Sequence, residues 1–150
     1  MAYSLDDIKK LRAETEAPVL EVKKALEKAN GDYDRAKAHL EVWSKEQAAK
    51  KSGEATSAGV VESYIHTGCK VGAIIVLGCQ TDFVARTDNF KTLAHEIAMQ
   101  VASMDPKDVS SLLDQTYIRD PKKKIKDLVN EQIAKLGENI IIKKLVRFSV

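Results

Sequence analysis

The sequence predicts an α+β fold: a helical N-terminal module followed by a small core of about three antiparallel strands and two main helices. Three observations carry this reading. Residues 5–43 place apolar side chains at helical spacings with capping residues between them. Two β-prone runs, Val60–His66 and Val71–Gly78, are joined by the short polar segment Thr67-Gly68-Cys69-Lys70. After them, helical periodicity returns twice before a last β-prone run at Ile140–Phe148.

Each element has its own justification. Ser4 and Asp7 stand three residues apart, as in a capping box, and Leu5, Ile8 and Leu11 begin an apolar stripe. Pro18, a residue suited to a first helical turn, introduces a helix with Val19, Val22, Leu26 and Ala29 on one face. Asn30-Gly31 ends that helix, since both residues tolerate left-handed dihedrals. Asp32 caps a third helix carrying Tyr33, Ala36, Leu40 and Trp43. Lys45 to Lys51 can prolong it, and Ser52–Gly59, rich in small and polar residues, reads as a linker. The chain thus divides into a module at 1–48, a linker at 49–59 and a core at 60–150.

In the core, Val71–Gly78 is apolar enough to be buried on both sides. A helical pattern starts at Asp88 and runs to about Ser103, with Phe90, Leu93, Ala94, Ile97, Ala98 and Val101 facing inward, and Asp105-Pro106 closes it. Val109, Leu112 and Leu113 suit one or two turns on the sheet. Asp120 and Pro121 predict the start of another helix, with Ile125, Leu128, Val129, Ile133 and Leu136 as its apolar face and Gly137 at its end. In the final run, Leu145 is out of parity with Val146 and Phe148, which predicts a strand partly covered on both faces.

Composition narrows function. The 44% hydrophobic content suits a packed core, and the formal charge of +2 hides a basic end: residues 121–150 carry eight basic and three acidic side chains. Two cysteines and three scattered histidines offer no structural zinc set, so no metal and no cofactor are expected. With no apolar run of membrane-spanning length and no leader pattern, a cytoplasmic protein with two free thiols, Cys69 and Cys79, is expected. No Walker loop follows Gly68, Gly72 or Gly78, and no nucleophile, base and acid stand in a recognisable spacing. The chain therefore reads as a binding protein rather than an enzyme, and no catalytic residue is assigned. The basic end lacks interleaved aromatics, so nucleic acid is not an expected partner.

The segment Cys79-Gln80-Thr81-Asp82-Phe83-Val84-Ala85-Arg86 stands out. A carboxylate and a large aromatic follow a buried strand where a polar turn is usual. Two readings of Phe83 stay open from the residues alone: a core ring sealing the hairpin, which composition favours, or an anchor presented to a partner while Asp82 makes a polar contact.

Taken together, separated motifs identify a family. Ile8-Lys9-Lys10-Leu11-Arg12, Lys23-Lys24-Ala25-Leu26, Asn30-Gly31-Asp32, Cys79–Ala85 and Leu136-Gly137-Glu138-Asn139-Ile140 resemble, in order and spacing, translation elongation factor Ts of the bacterial and organellar type. The resemblance implies a ubiquitin-associated-like three-helix module that docks on elongation factor Tu, here through Arg12, Pro18, Val19 and Leu20. It implies guanine-nucleotide exchange: Thr81, Asp82, Phe83 and Val84 form a wedge that inserts beside the Mg²⁺ and phosphate elements of that GTPase, in its GDP-bound or nucleotide-free form, and GDP leaves. It also implies a homodimer through the core. Only about ten residues separate Met104 from Tyr117, which makes this an unusually short member. The alternative is an adaptor of the ubiquitin-associated type without exchange activity.

Overall fold

The structure is a computed structural model and describes residues 2–150. Three helices come first: α1 (Leu5–Thr15), α2 (Val19–Lys28) and α3 (Tyr33–Lys51). The first begins in a reciprocal cap: the Asp7 amide donates to Ser4 Oγ at 3.2 Å and the Ser4 amide to Asp7 Oδ2 at 2.7 Å. Asp32 caps α3 by accepting from the Arg35 amide at 2.9 Å. Ile8, Leu11, Val22, Leu26, Ala36 and Leu40 bury one another in a first hydrophobic cluster, with Tyr33 and Trp43 packed at its edge.

The second cluster belongs to the sheet. β1 (Ala58–Ile65), β2 (Val71–Cys79) and β3 (Ile140–Ser149) form an antiparallel sheet in the order β1-β2-β3. Its inner face, with Ala73, Ile75, Leu77 and Ile142, packs on α5 (Asp88–Met104) through Phe90, Leu93, Ile97 and Val101. Two short helices, α4 (Asp82–Ala85) and α6 (Val109–Asp114), and the longer α7 (Ile125–Leu136) complete the core.

The apolar spacing alone did not locate α4, because the pattern of Asp88–Ser103 starts later; Thr81 caps this separate single turn. The helix expected from Pro121 begins only at Ile125. Residues 116–124 instead double back: Thr116 and Lys124 form a bridge, the Tyr117 amide donates to the Lys123 carbonyl at 2.9 Å, and Asp120 Oδ1 accepts from the Lys122 amide at 3.1 Å. Asp120 therefore makes a turn of the kind short carboxylates favour. Gln100, fully buried on α5, holds this connection down: its amide donates to the Thr116 carbonyl and its oxygen accepts from the Ile118 amide.

The parity slip in the last strand has a local cause. Val76 pairs with Lys144 but Leu77 pairs with Ile142, so Lys143 is an extra residue, a β-bulge. Beyond the bulge Leu145 and Arg147 regain the inner face, and the Arg147 guanidinium donates to the Ala102 carbonyl at 2.9 Å. The outer face is not covered within the chain. Val61, Ile65, Ile74, Val146 and Phe148 lie exposed on it, with the Phe148 ring 70% accessible.

The two clusters share α3. Its first half carries Ala36 and Leu40 of the N-terminal cluster, while Ala48 is buried in the core cluster against α7. A second tie joins the clusters: Glu16, at the end of α1, pairs with Lys135 at 2.9 Å and accepts from Gln132 Nε2 at 2.9 Å, both on α7. Burial, the largest influence on the Glu16 carboxyl, raises its pKa, but these two donors together outweigh burial and hold it below the ordinary value. The stretch after α3 is pinned as well, with the Asn139 amide donating to the Glu54 carbonyl at 2.9 Å and Lys143 to the Thr56 carbonyl.

Candidate functional site

The last residues of β2 are buried: Leu77, Gly78 and Cys79 face neighbours on every side. The chain must then leave the sheet within two residues, and Thr81 makes the exit. Its extended backbone (φ −130°, ψ 155°) turns the strand into a helical turn, and its hydroxyl accepts from the Val84 amide at 3.4 Å. The Thr81 carbonyl takes the Ala85 amide at 3.2 Å and the Cys79 thiol at 3.2 Å. Burial, followed by the nearby Glu138 carboxylate, pushes the Cys79 thiol above its ordinary pKa, so it stays protonated as this donor.

The turn that results has two opposed sides. Val84 and Ala85 are buried in the core cluster and anchor it. Asp82 and Phe83 face outward, and the Phe83 ring is 84% exposed. Phe83 therefore does not seal the hairpin, and the core reading that composition favours is incorrect. The physical reason is the spacing. On a single turn capped at Thr81, the two residues that follow Phe83 take the inner side, and the ring is carried to the outer one.

The loop is held from outside by residues whose role the sequence did not reveal. Glu138 reaches across from the end of α7. Its Oε1 accepts from the Gln80 amide at 3.1 Å and the Thr81 amide at 3.0 Å, and its Oε2 accepts from the Thr81 hydroxyl at 2.7 Å. Gln80 Oε1 in turn accepts from the Asn139 amide at 2.6 Å. Glu138 and Asn139 stand in the Leu136–Ile140 motif, far from Gln80-Thr81 in sequence but adjacent in space. The signal was two polar residues directly after a glycine that already ends the helix, where the cap needs neither.

In the N-terminal helices Arg12, in the last turn of α1, and Pro18, Val19 and Leu20, at the start of α2, are all exposed. His39, His66 and His95 are exposed. Cys69 is exposed at the hairpin tip and Cys79 is fully buried, and both are free. The hairpin loop lies outside the packed layers, whereas the end of β2 lies between them. Among the described residues, no group of three or more His, Cys, Asp or Glu side chains could hold a metal ion, and no helix is long and apolar enough to cross a membrane.

A family described as Elongation factor TS matches residues 80–150, a span that opens at the exit from β2 and closes beyond Glu138. Relatives extend the match over the helical module. Elongation factor Ts of Thermoanaerobacter sp. (strain X514) is 38% identical, over 97% of this chain and 93% of its own length. Elongation factor Ts of Coprothermobacter proteolyticus is 37% identical over 100% of this chain and 99% of its own. That of Thermotoga maritima is 38% identical, over 100% and 97%. The chain belongs to the elongation factor Ts family.

Within the elongation factor Ts family it is a short member. The alignment with the Coprothermobacter protein runs over 195 positions, and this chain supplies 150 residues, so 45 positions are filled by the relative alone. The shortening leaves intact the elements that shape the site: β2, α4 and the end of α7 are all present.

Proposed function

We propose that this chain promotes GDP release by presenting Asp82 and Phe83 as a wedge to elongation factor Tu. Membership of the elongation factor Ts family makes it a guanine-nucleotide exchange factor that works by binding, without covalent chemistry of its own. The exposure of the Phe83 ring on a turn anchored by Val84 and Ala85 is the observation that carries the wedge assignment. An exposed ring of this size gains about 1.5–3 kcal/mol when a partner buries it. A thousandfold weakening of nucleotide binding requires about 4 kcal/mol of coupling, so docking elsewhere supplies the remainder. By reciprocity, GDP weakens the protein complex by the same factor.

The remaining contribution is assigned to residues 1–48, a ubiquitin-associated-like module that docks on the GTPase through Arg12, Pro18, Val19 and Leu20. The stretch between α3 and β1, within the expected linker 49–59, joins it to the exchange core at 60–150. The partner is engaged in its GDP-bound and nucleotide-free forms. The exposed outer face of the sheet supports a homodimer through the core: the register sets Ile74 opposite Val146, with Ile65 and Phe148 flanking Gly72, in one continuous apolar surface.

Release of a fluorescent GDP from elongation factor Tu tests the wedge. Phe83→Ala should lower exchange kcat/KM about ten- to hundredfold while leaving the urea midpoint unchanged. An unchanged rate in a folded variant refutes the assignment and favours a binding adaptor. For the dimer, sedimentation should show Phe148→Asp shifting the protein toward monomer; a wild type that is monomeric at high concentration refutes it.

A further inference from the structure

We infer that Glu138 is a positioning residue for nucleotide exchange, holding the Asp82-Phe83 turn in the orientation in which it meets the partner; this rests on the wedge reading above. The turn itself has little to hold it. It is one helical turn long, both wedge side chains are in solvent, and below it Val84 and Ala85 are its buried residues. An exposed single turn of this kind frays, because it makes few internal hydrogen bonds for the dihedrals it fixes.

Glu138 supplies the missing constraint from a different part of the chain. Two backbone amides, Gln80 and Thr81, converge on one carboxylate oxygen at 3.1 and 3.0 Å, and the Thr81 hydroxyl donates to the other at 2.7 Å. These are charge-assisted bonds to an acceptor that is itself fixed, since Asn139 beside it is buried and bonded to Gln80, Ser52 and Glu54. The donors are the cap residue and its predecessor, so the bracket sets the direction in which the turn starts. Without it, Thr81 keeps its links to Cys79, Val84 and Ala85, and the turn moves as a unit against the sheet. A wedge that must be ordered at the moment of insertion loses part of its binding energy to that ordering.

Fluorescent-GDP release from elongation factor Tu is measured with wild type, Phe83→Ala, Glu138→Ala, Glu138→Gln and the double variant Phe83→Ala/Glu138→Ala, with urea midpoints recorded alongside. Glu138→Ala is expected to lower kcat/KM about tenfold. Glu138→Gln, which keeps a carbonyl oxygen for the two amides, is expected to restore most of the rate. Because Glu138 acts through the wedge, the double variant should be no slower than Phe83→Ala alone. If Glu138→Ala does not fold, Glu138→Asp, which keeps the charge but draws it back from the Gln80 and Thr81 donors, takes its place in the cycle with an expected loss of threefold or more.

Independent, multiplying losses in the double variant overturn the proposal, as does a Glu138→Ala protein within twofold of wild type while Phe83→Ala is impaired. A Phe83→Ala protein at the wild-type rate removes the wedge reading and this inference with it, which separates the two failures.

Discussion

Deleting one of the two adjacent lysines at 143 and 144 should leave the protein folded and almost as stable as the parent. In the bulge, Leu77 pairs with Ile142 and Val76 with Lys144, and Lys143 has no place in the ladder. With one lysine removed, the strand alternates evenly. Ile140, Ile142, Leu145 and Arg147 stay inward, and Ile141, the remaining lysine, Val146 and Phe148 stay outward. What is lost is the bond from Lys143 to the Thr56 carbonyl and the cover its methylenes give Gly78, together about 1–2 kcal/mol. Against this, one residue fewer must be ordered, worth about 1–2 kcal/mol of backbone entropy. The net change should lie within about 1 kcal/mol, a melting shift of about 2–4 °C at this chain length. Deleting Val146 is the contrasting case: it turns Phe148 inward and Arg147 outward, breaking the bond to the Ala102 carbonyl. Urea titrations of the three proteins distinguish the outcomes. A lysine deletion that costs as much as the Val146 deletion, or that lowers the m-value, would show that the bulge itself is required and the register argument is wrong.

Three further outcomes are expected. Gly59→Ala should cost at least about 3 kcal/mol in a urea melt, because φ is +149° there and a Cβ would lie 2.2 Å from the Leu77 carbonyl oxygen. Phe90→Ala, at a fully buried position under the sheet, should cost about 3–5 kcal/mol by the same measurement. The third concerns acid. The folded-state pKa of Glu16 is lowered by Lys135 and Gln132, so its contribution is present at neutral pH and is lost as pH falls from about 5 through the lowered value. Stability measured by Trp43 fluorescence should therefore fall less steeply with acidification in Glu16→Gln than in the parent; equal slopes would rule out the Glu16 tie as the cause.

Much of the fold was legible because its signals are local. Ser4 and Asp7, Asp32, and the apolar stripes of α1, α2, α3 and α5 specify their elements through neighbours within one or two turns. The elements that escaped are set by distant residues. Ile125 rather than Pro121 begins α7 because residues 116–124 are bridged to one another and tied to Gln100 on α5. The slip at Leu145 marked an irregularity correctly, yet only the pairing with β2 shows it to be a bulge rather than a second covering layer. At the site, Asp82-Phe83 drew notice by being out of place. Glu138 did not, since its partners Gln80 and Thr81 are 58 and 57 residues away.

The sharing of α3 between the two hydrophobic clusters ties them together through one continuous helix rather than through a flexible string. A cut at residue 48 would fall inside a helix and remove Ala48 from the packing of α7. Amide protons in the latter half of α3 are accordingly placed to exchange only when the sheet domain opens, and those of its first half to open with α1 and α2. A load applied to the first helices passes along a single rod about 28 Å long into the body that carries Phe83. If the proposed docking and wedge assignments hold, grasping the partner with one end and prising with the other become parts of one movement, as in a lever with no joint along its arm.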